Sequence, residues 1–233
     1  MSDRSDDKLR RRIAAAAARG VSGGSDATRA MFRAARRVAG GWVPEDQLPS
    51  NAEVRDEVAR TLDPAAAAAR LTGDRFDRIA AIVGVLATVR QDPVKHPEGD
   101  ALEHTLQVFD RVHEERPFDE ELLTAALVHD VGRAIDRAAP VAAGLEAVAG
   151  LVTPRTAWLV ETLPVATAYR ERTLGQRARQ RLAAHPDFLD ALLLAEADHK
   201  ARVRGYDAPT LDEAIAILRG LEADDGPAED WRP

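Results

Sequence analysis

The chain has 233 residues, no cysteine and a net charge of −7, with 45% hydrophobic, 30% charged and 4% aromatic residues. This composition predicts an ordered soluble protein, either one large domain or one domain with an appendage, whose core is built from Ala, Leu and Val. The lack of cysteine excludes disulfides, thiolate zinc sites and cysteine nucleophiles; no apolar run approaches the ~20 residues of a membrane span, and a cytoplasmic setting is expected.

The charge is uneven. Residues 1–44 hold ten Lys or Arg against four Asp, a balance of +6, so the remainder carries −13. Two readings fit Arg10, Arg11, Arg12, Arg29, Arg33, Arg36 and Arg37. One is solvent decoration in an arginine-rich chain whose only lysines are Lys8, Lys95 and Lys200; the other is a polyanion-facing arm that contacts RNA. The first twenty residues are acidic early and lack a signal-type apolar core, so they are expected to belong to the mature protein.

Apolar residues recur at helical spacing, with caps, and never alternate with polar residues over a strand's length, which predicts an all-α fold. Helices are expected over about 7–19, broken by Gly20 to Ser25, and over 26–39 with Gly40 as C-cap. Ser50 with Glu53 reads as a capping box for a helix to about Leu62, and Asp63-Pro64 opens a short Ala-rich one. Asp74 caps a helix to about Arg90, and a polar segment, Gln91 to Asp100, leads into a helix to Glu115. Asp119 caps the next, and further helices are expected over 141–151, 154–163, 174–183 and 187–200. Thr210 with Glu213 is a second capping box, starting a helix to about Leu221. These elements suggest an Arg/Ala-rich helical appendage over 1–72, a helical domain over 73–222 and a frayed acidic tail over 223–233.

The stretch EELLTAALVHDVGR, Glu120 to Arg133, organises the domain. A helix apolar on nearly all sides belongs inside a packed core, so His129 and Asp130 stand where a buried helix stops. An ionised carboxylate buried there without a partner costs several kcal/mol or more, on the order set by charge desolvation, so a cation beside Asp130 or a wet cavity is expected. Of the other histidines, His113 and His185 read as surface or capping residues. His104 lies inside an amphipathic helix, where its ring needs a partner or a metal. Asp198 closes another apolar helix 68 residues beyond Asp130. Two imidazoles and two carboxylates suit one divalent cation of borderline to hard character, with Mg, Mn, Fe, Ni and Zn all candidates. Such an ion lowers the pKa of a bound water from about 15.7 toward 7 and stabilises a phosphoryl oxygen.

The order His104, His129-Asp130, Asp198 resembles the H…HD…D pattern of the HD-domain phosphohydrolases, a helical-bundle family. The likeness is closest to the HD region of bacterial tRNA nucleotidyltransferases, through KHPEGDALEHTLQVFD (Lys95 to Asp110), AALVHDVGRAID (Ala125 to Asp136) and AEADHKAR (Ala195 to Arg202), and it spans roughly residues 91–205. It implies metal-dependent hydrolysis of a phosphomonoester or phosphodiester, with nucleotides or RNA ends as substrates. It also implies metal ligation by His104, His129, Asp130 and Asp198, a catalytic part for Asp130 and Arg133, and phosphate contacts from Lys95, Arg133 and Arg202.

Two departures limit the likeness. Family members with a second metal add two histidines, at a helix start and after an apolar helix; here those places hold Pro140 and Leu163-Pro164, so a mononuclear site is expected. No nucleotidyltransferase half is present: GGSDATR, Gly23 to Arg29, reads as a helix start capped by Ser25 or Asp26, and no Walker loop, GxSxG or HExxH occurs. A second expectation therefore stands beside the enzyme, a catalytically degenerate bundle that binds RNA or a regulatory partner.

Overall fold

A computed structural model of the protein describes residues 2–22, 27–50, 52–54, 56, 57, 72–89, 91, 96–98 and 100–224. Among them the regular elements are all helical and no strand forms. In chain order they are α1 (Ser2–Ser22), α2 (Ala27–Val38), α3 (Arg75–Gly84), α4 (Ala101–Glu115), α5 (Glu120–Val128), α6 (Pro140–Ala147), α7 (Pro154–Arg170), α8 (Gln176–Ala183), α9 (Phe188–Lys200) and α10 (Leu211–Asp224). Short 3-10 turns lie at Glu45–Gln47, Val85–Thr88 and Val131–Ala134. Predictions for Ser25, Asp26, Leu62, Asp63-Pro64, Arg90, Lys95 and the final residues fall outside the described residues.

The helix starts follow from side-chain oxygens that satisfy the first free backbone N–H groups. The N–H groups of Asp77, Glu103 and Leu122 donate to the carboxylates of Asp74, Asp100 and Asp119 at 2.9, 3.0 and 3.0 Å. Both capping boxes form: Ser50 exchanges bonds with Glu53, and Thr210 with Glu213. Three helices overrun their predicted ends, α10 reaching Asp224. α1 passes through Gly20, because a lone glycine costs only about 1 kcal/mol in a helix and α1 packs along α2. α7 continues past Leu163 with Pro164 inside it. The two further turns bury Ala166 and bring Tyr169 onto the core, and Thr167 Oγ1 donates to the Leu163 carbonyl at 2.9 Å. That burial offsets the ~3 kcal/mol an interior proline costs.

α5 is the centre. Every residue from Leu122 to Val128 is at most 2% exposed, and the helix touches α3, α4, α7, α9 and α10. α9 in turn lies against both α4 and α7, so the ends of α4, α5 and α9 meet. One buried apolar cluster runs from Phe76 to Leu218; a second, from Ile13 to Val54, fills the α1–α2 hairpin. The hairpin docks by charge. Arg12, 8% exposed, bonds Asp207, Glu103 and the Tyr206 carbonyl, and Arg37 lies 3.8 Å from Asp100.

Two local constraints hold the bundle in register. Arg155 on α7 gathers Asp119, Glu121, Asp187 and Asp190 at 2.7–3.2 Å, tying the starts of α5 and α9 together. Burial pushes the Asp119 carboxyl up, but its hydrogen bonds from Arg155 and Leu122 outweigh that and leave it below its ordinary value. Gly132, in the turn after α5, has no room for a side chain: a Cβ there would lie 1.7 Å from the Pro140 carbonyl oxygen at the start of α6.

Two outcomes follow. Gly132→Ala forces α6 off the turn and lowers stability by about 3 kcal/mol, the upper end for overpacking, read as a drop in thermal midpoint. Arg155→Met costs about 2 kcal/mol at neutral pH, between exposed and fully buried pairs. Because the folded-state pKa of Asp119 is depressed, its contribution is present above the unfolded value and is lost as pH falls through the folded one; the gap between wild type and variant narrows below about pH 4 in denaturant titrations.

Candidate metal centre

His129 is the residue at which α5 stops. Its Nδ1–H donates to the Ala126 carbonyl at 2.8 Å, so the lone pair of the neutral ring sits on Nε2. His104, wholly buried on α4, is fixed the same way: Nδ1–H donates to the Ala201 carbonyl at 2.7 Å, just past the end of α9. Two backbone carbonyls thus set both tautomers and turn both Nε2 atoms inward.

Both Nε2 atoms face carboxylates. His104 Nε2 is 2.9 Å from Asp198 Oδ1, and His129 Nε2 is 3.5 Å from Asp130 Oδ1 and 3.7 Å from Asp198 Oδ1. Asp198 is brought there by the last turn of α9, Asp130 by the turn after α5. All four side chains are buried. His129 Nε2 and Asp130 Oδ2 have no hydrogen-bond partner, and orphaned buried polar atoms of this kind cost about 1–3 kcal/mol each. The donor atoms of His104, His129 and Asp130 lie within 4.8 Å of one another, and this group could hold a metal ion. The two nitrogen and two oxygen donors fit a divalent cation.

Without a cation, a proton takes the place beside Asp198. Burial opposes an imidazolium at His104, yet the hydrogen bonds to Asp198 and Glu98 and the charge of Asp130 outweigh it and push its pKa up to about 9. Asp198 is driven by burial toward neutrality, but His104 and His129 hold it well below the usual carboxylate range.

The predicted phosphate contacts are placed unevenly. Arg133 Nε forms an ion pair with Asp130 Oδ1 at 2.7 Å while 41% of its side chain stays exposed. Arg202 stands off at 3.9 Å from Asp198 Oδ2. Lys95 lies outside the described residues. Lys200 is exposed and pairs with Glu196 at 3.1 Å. Pro140 starts α6 and Leu163 packs on the core, so neither position offers a ligand. His185 accepts the Asp187 N–H and stacks on Trp158 with ring centroids 3.6 Å apart, a capping role; His113 stacks on Phe109.

Sequence reasoning missed Glu98 and His96. Glu98 Oε1 is 2.9 Å from His96 Nδ1 and 3.0 Å from His104 Nδ1, behind the ring that faces Asp198. The signal was in the segment HPEGD, a His-x-Glu placed six residues before His104. No family model matches the chain, and no curated protein matches it.

A cation must displace the His104 proton, so binding releases protons and strengthens with pH. Below the His104 pKa of about 9, apparent affinity for Zn2+ or Mn2+ falls about tenfold per pH unit, measured by titration calorimetry in buffers of different ionisation enthalpy.

Proposed function

We propose that this protein is a metal-dependent phosphohydrolase of the HD type, with residues 73–222 forming the bundle and 1–72 an appendage on it. One observation carries the reading: two imidazole Nε2 atoms, each fixed by a backbone carbonyl on Nδ1, face two buried carboxylates at the meeting point of three helices. His104, His129, Asp130 and Asp198 would hold one divalent ion. The imidazole pair favours Zn, Fe, Ni or Mn over Mg. When bound, such an ion supplies Lewis-acid activation of water and charge neutralisation at phosphorus.

The chain's own groups supply the rest. Asp130 Oδ2, buried and unbonded, is placed to orient a water and accept its proton. Arg133 combines contact with Asp130 and a part-exposed guanidinium, which can neutralise an incoming phosphate; Arg202 adds charge at the Asp198 side. A nucleotide or an RNA end is the substrate class this arrangement suits.

The second reading is a catalytically silent bundle that recognises RNA or a partner. Its support is the Arg133–Asp130 pair and the His104–Asp198 contact, which neutralise both carboxylates without an ion. The arginine arm gives it less support, since Arg12 is buried against Asp207 and Glu103, Arg10 pairs with Glu53, Arg11 pairs with Asp7 and Arg37 lies near Asp100.

Elemental analysis of protein purified without chelator, followed by assay on a generic phosphodiester and a 2′,3′-cyclic nucleotide, separates the two. The enzyme reading expects close to one ion per chain and turnover, with Asp130→Ala losing the ion and at least about 100-fold in rate, beyond what loss of an outer partner costs. A folded wild-type protein with neither metal uptake nor turnover decides for the silent module.

A further inference from the structure

Among the described residues, the side chains paired with the Glu98 carboxylate are two imidazoles. Its side chain is 0% exposed, and among the described residues its ion pairs run to His96 at 2.9 Å and His104 at 3.0 Å. Oε2 is buried and unbonded. Burial pushes the Glu98 carboxyl up, but its contacts with His104, its own backbone N–H and His96 outweigh that and leave it below its ordinary value. The carboxylate is thus held in its charged form against His104. Glu98, Asp130 and Asp198 bring three negative charges; among the described residues Arg133, 2.7 Å from Asp130, answers one, and Arg202 stands off at 3.9 Å. A divalent ion beside a neutral His104 answers the other two.

We infer that Glu98 is a positioning residue for the metal centre, acting through His104, and that His96 holds Glu98 in place. This rests on the metal reading above. Metal-ligating histidines commonly pass their second ring N–H to a carboxylate or a carbonyl, which fixes the ring and raises its basicity. Here the Ala201 carbonyl takes the Nδ1 proton and Glu98 lies against the same edge of the ring. The carbonyl sets the tautomer; the carboxylate adds the negative charge that makes Nε2 the stronger donor. His96 stands edge-on to His104, with ring centroids 5.4 Å apart, and its contact with Oε1 keeps Glu98 from swinging away.

The rival arrangement is a second ion on this side. His96, Glu98 and His104 also bring ligand atoms within 4.8 Å of one another, but an ion there would need His104 Nδ1, whose proton is committed to Ala201.

The test uses the full chain as wild type, Glu98→Gln and His96→Gln, titrated calorimetrically with Zn2+ and with Mn2+ and melted without metal. Glu98→Gln keeps size and removes the charge. It should stay folded without metal while weakening ion affinity about 10- to 100-fold; His96→Gln should weaken it less, and stoichiometry should stay at one ion per chain throughout. Nitrogen-15 spectra of the Zn2+-bound wild type should show His104 protonated at Nδ1 and metallated at Nε2. Weaker binding in a variant that stays folded, with the His104 Nε2 resonance of the Zn2+-bound form moved, is what a merely structural glutamate would not give. A Glu98→Gln protein that unfolds, or that binds the ion as tightly as wild type, overturns the inference and leaves the metal centre standing. Two ions in wild type falling to one in either variant overturns it in favour of a second site. No ion in wild type overturns both the inference and the reading it rests on.

Discussion

Charge burial at the end of α5 is the constraint on which the rest depends. An apolar helix with every residue from Leu122 to Val128 inside the core can be surrounded only by other helices, and five of them touch it. Where it stops, the chain must turn in the interior, and free carbonyls and N–H groups there need partners. His129 takes one of those carbonyls, that of Ala126. Asp130 then lies in a place that desolvates it, and α9 brings a second carboxylate, Asp198, to the same spot. A fold does not converge two buried carboxylates unless positive charge converges with them.

The positive charge is supplied from several directions, and that explains how the outer parts of the chain are arranged. His104 comes from α4, Arg133 from the turn after α5 and Arg202 from the segment after α9. The Ala201–Asp207 segment is itself pinned. Gln107 clamps the Val203 backbone through both its N–H and its carbonyl, Asp110 accepts from Tyr206 Oη, and Arg111 covers the Tyr206 ring. Arg12 closes it from the other side, and Gly205, at φ +71, lets the backbone meet Ala39 and Gly40 at the end of α2. The basic N-terminal hairpin therefore spends part of its charge on the acidic body of the same chain. Its excess of arginine is in part intramolecular, a complement to the −13 of the remaining residues.

What could be read from the sequence was whatever is local. The caps of α3, α5 and α10 are side chains reaching three residues ahead, and Asp74, Asp119 and Thr210 all form them. The all-helical class followed from periodicity. Juxtaposition of His104, His129, Asp130 and Asp198 was anticipated from their order and a family likeness; periodicity alone carries no information about which helix ends meet. Three features were illegible because they depend on tertiary contact. The passage of α7 through Pro164 is decided by burial of the turns beyond it. The Ala201 carbonyl that orients His104 has no side-chain signature at all. The inward turn of Glu98 was hidden in a polar segment that reads as a loop.

The two positions without histidine carry a physical meaning of their own. Pro140 sits at the first position of α6, where its missing N–H costs nothing, and its carbonyl lies against Gly132 so closely that only glycine fits. A larger ligand-bearing turn there would have to move α6 away from α5. Leu163 joins the apolar core instead of facing the polar cluster. On the proposed reading, then, the place where a second ion would be held has been given over to close packing of α6 on the turn after α5. The surplus donors lie behind His104, on the opposite edge of the ring from Asp198. Such an arrangement concentrates negative charge on a single centre through one imidazole rather than dividing it between two ions, and it makes the orientation of His104 the quantity that Ala201, Glu98 and His96 are all placed to control.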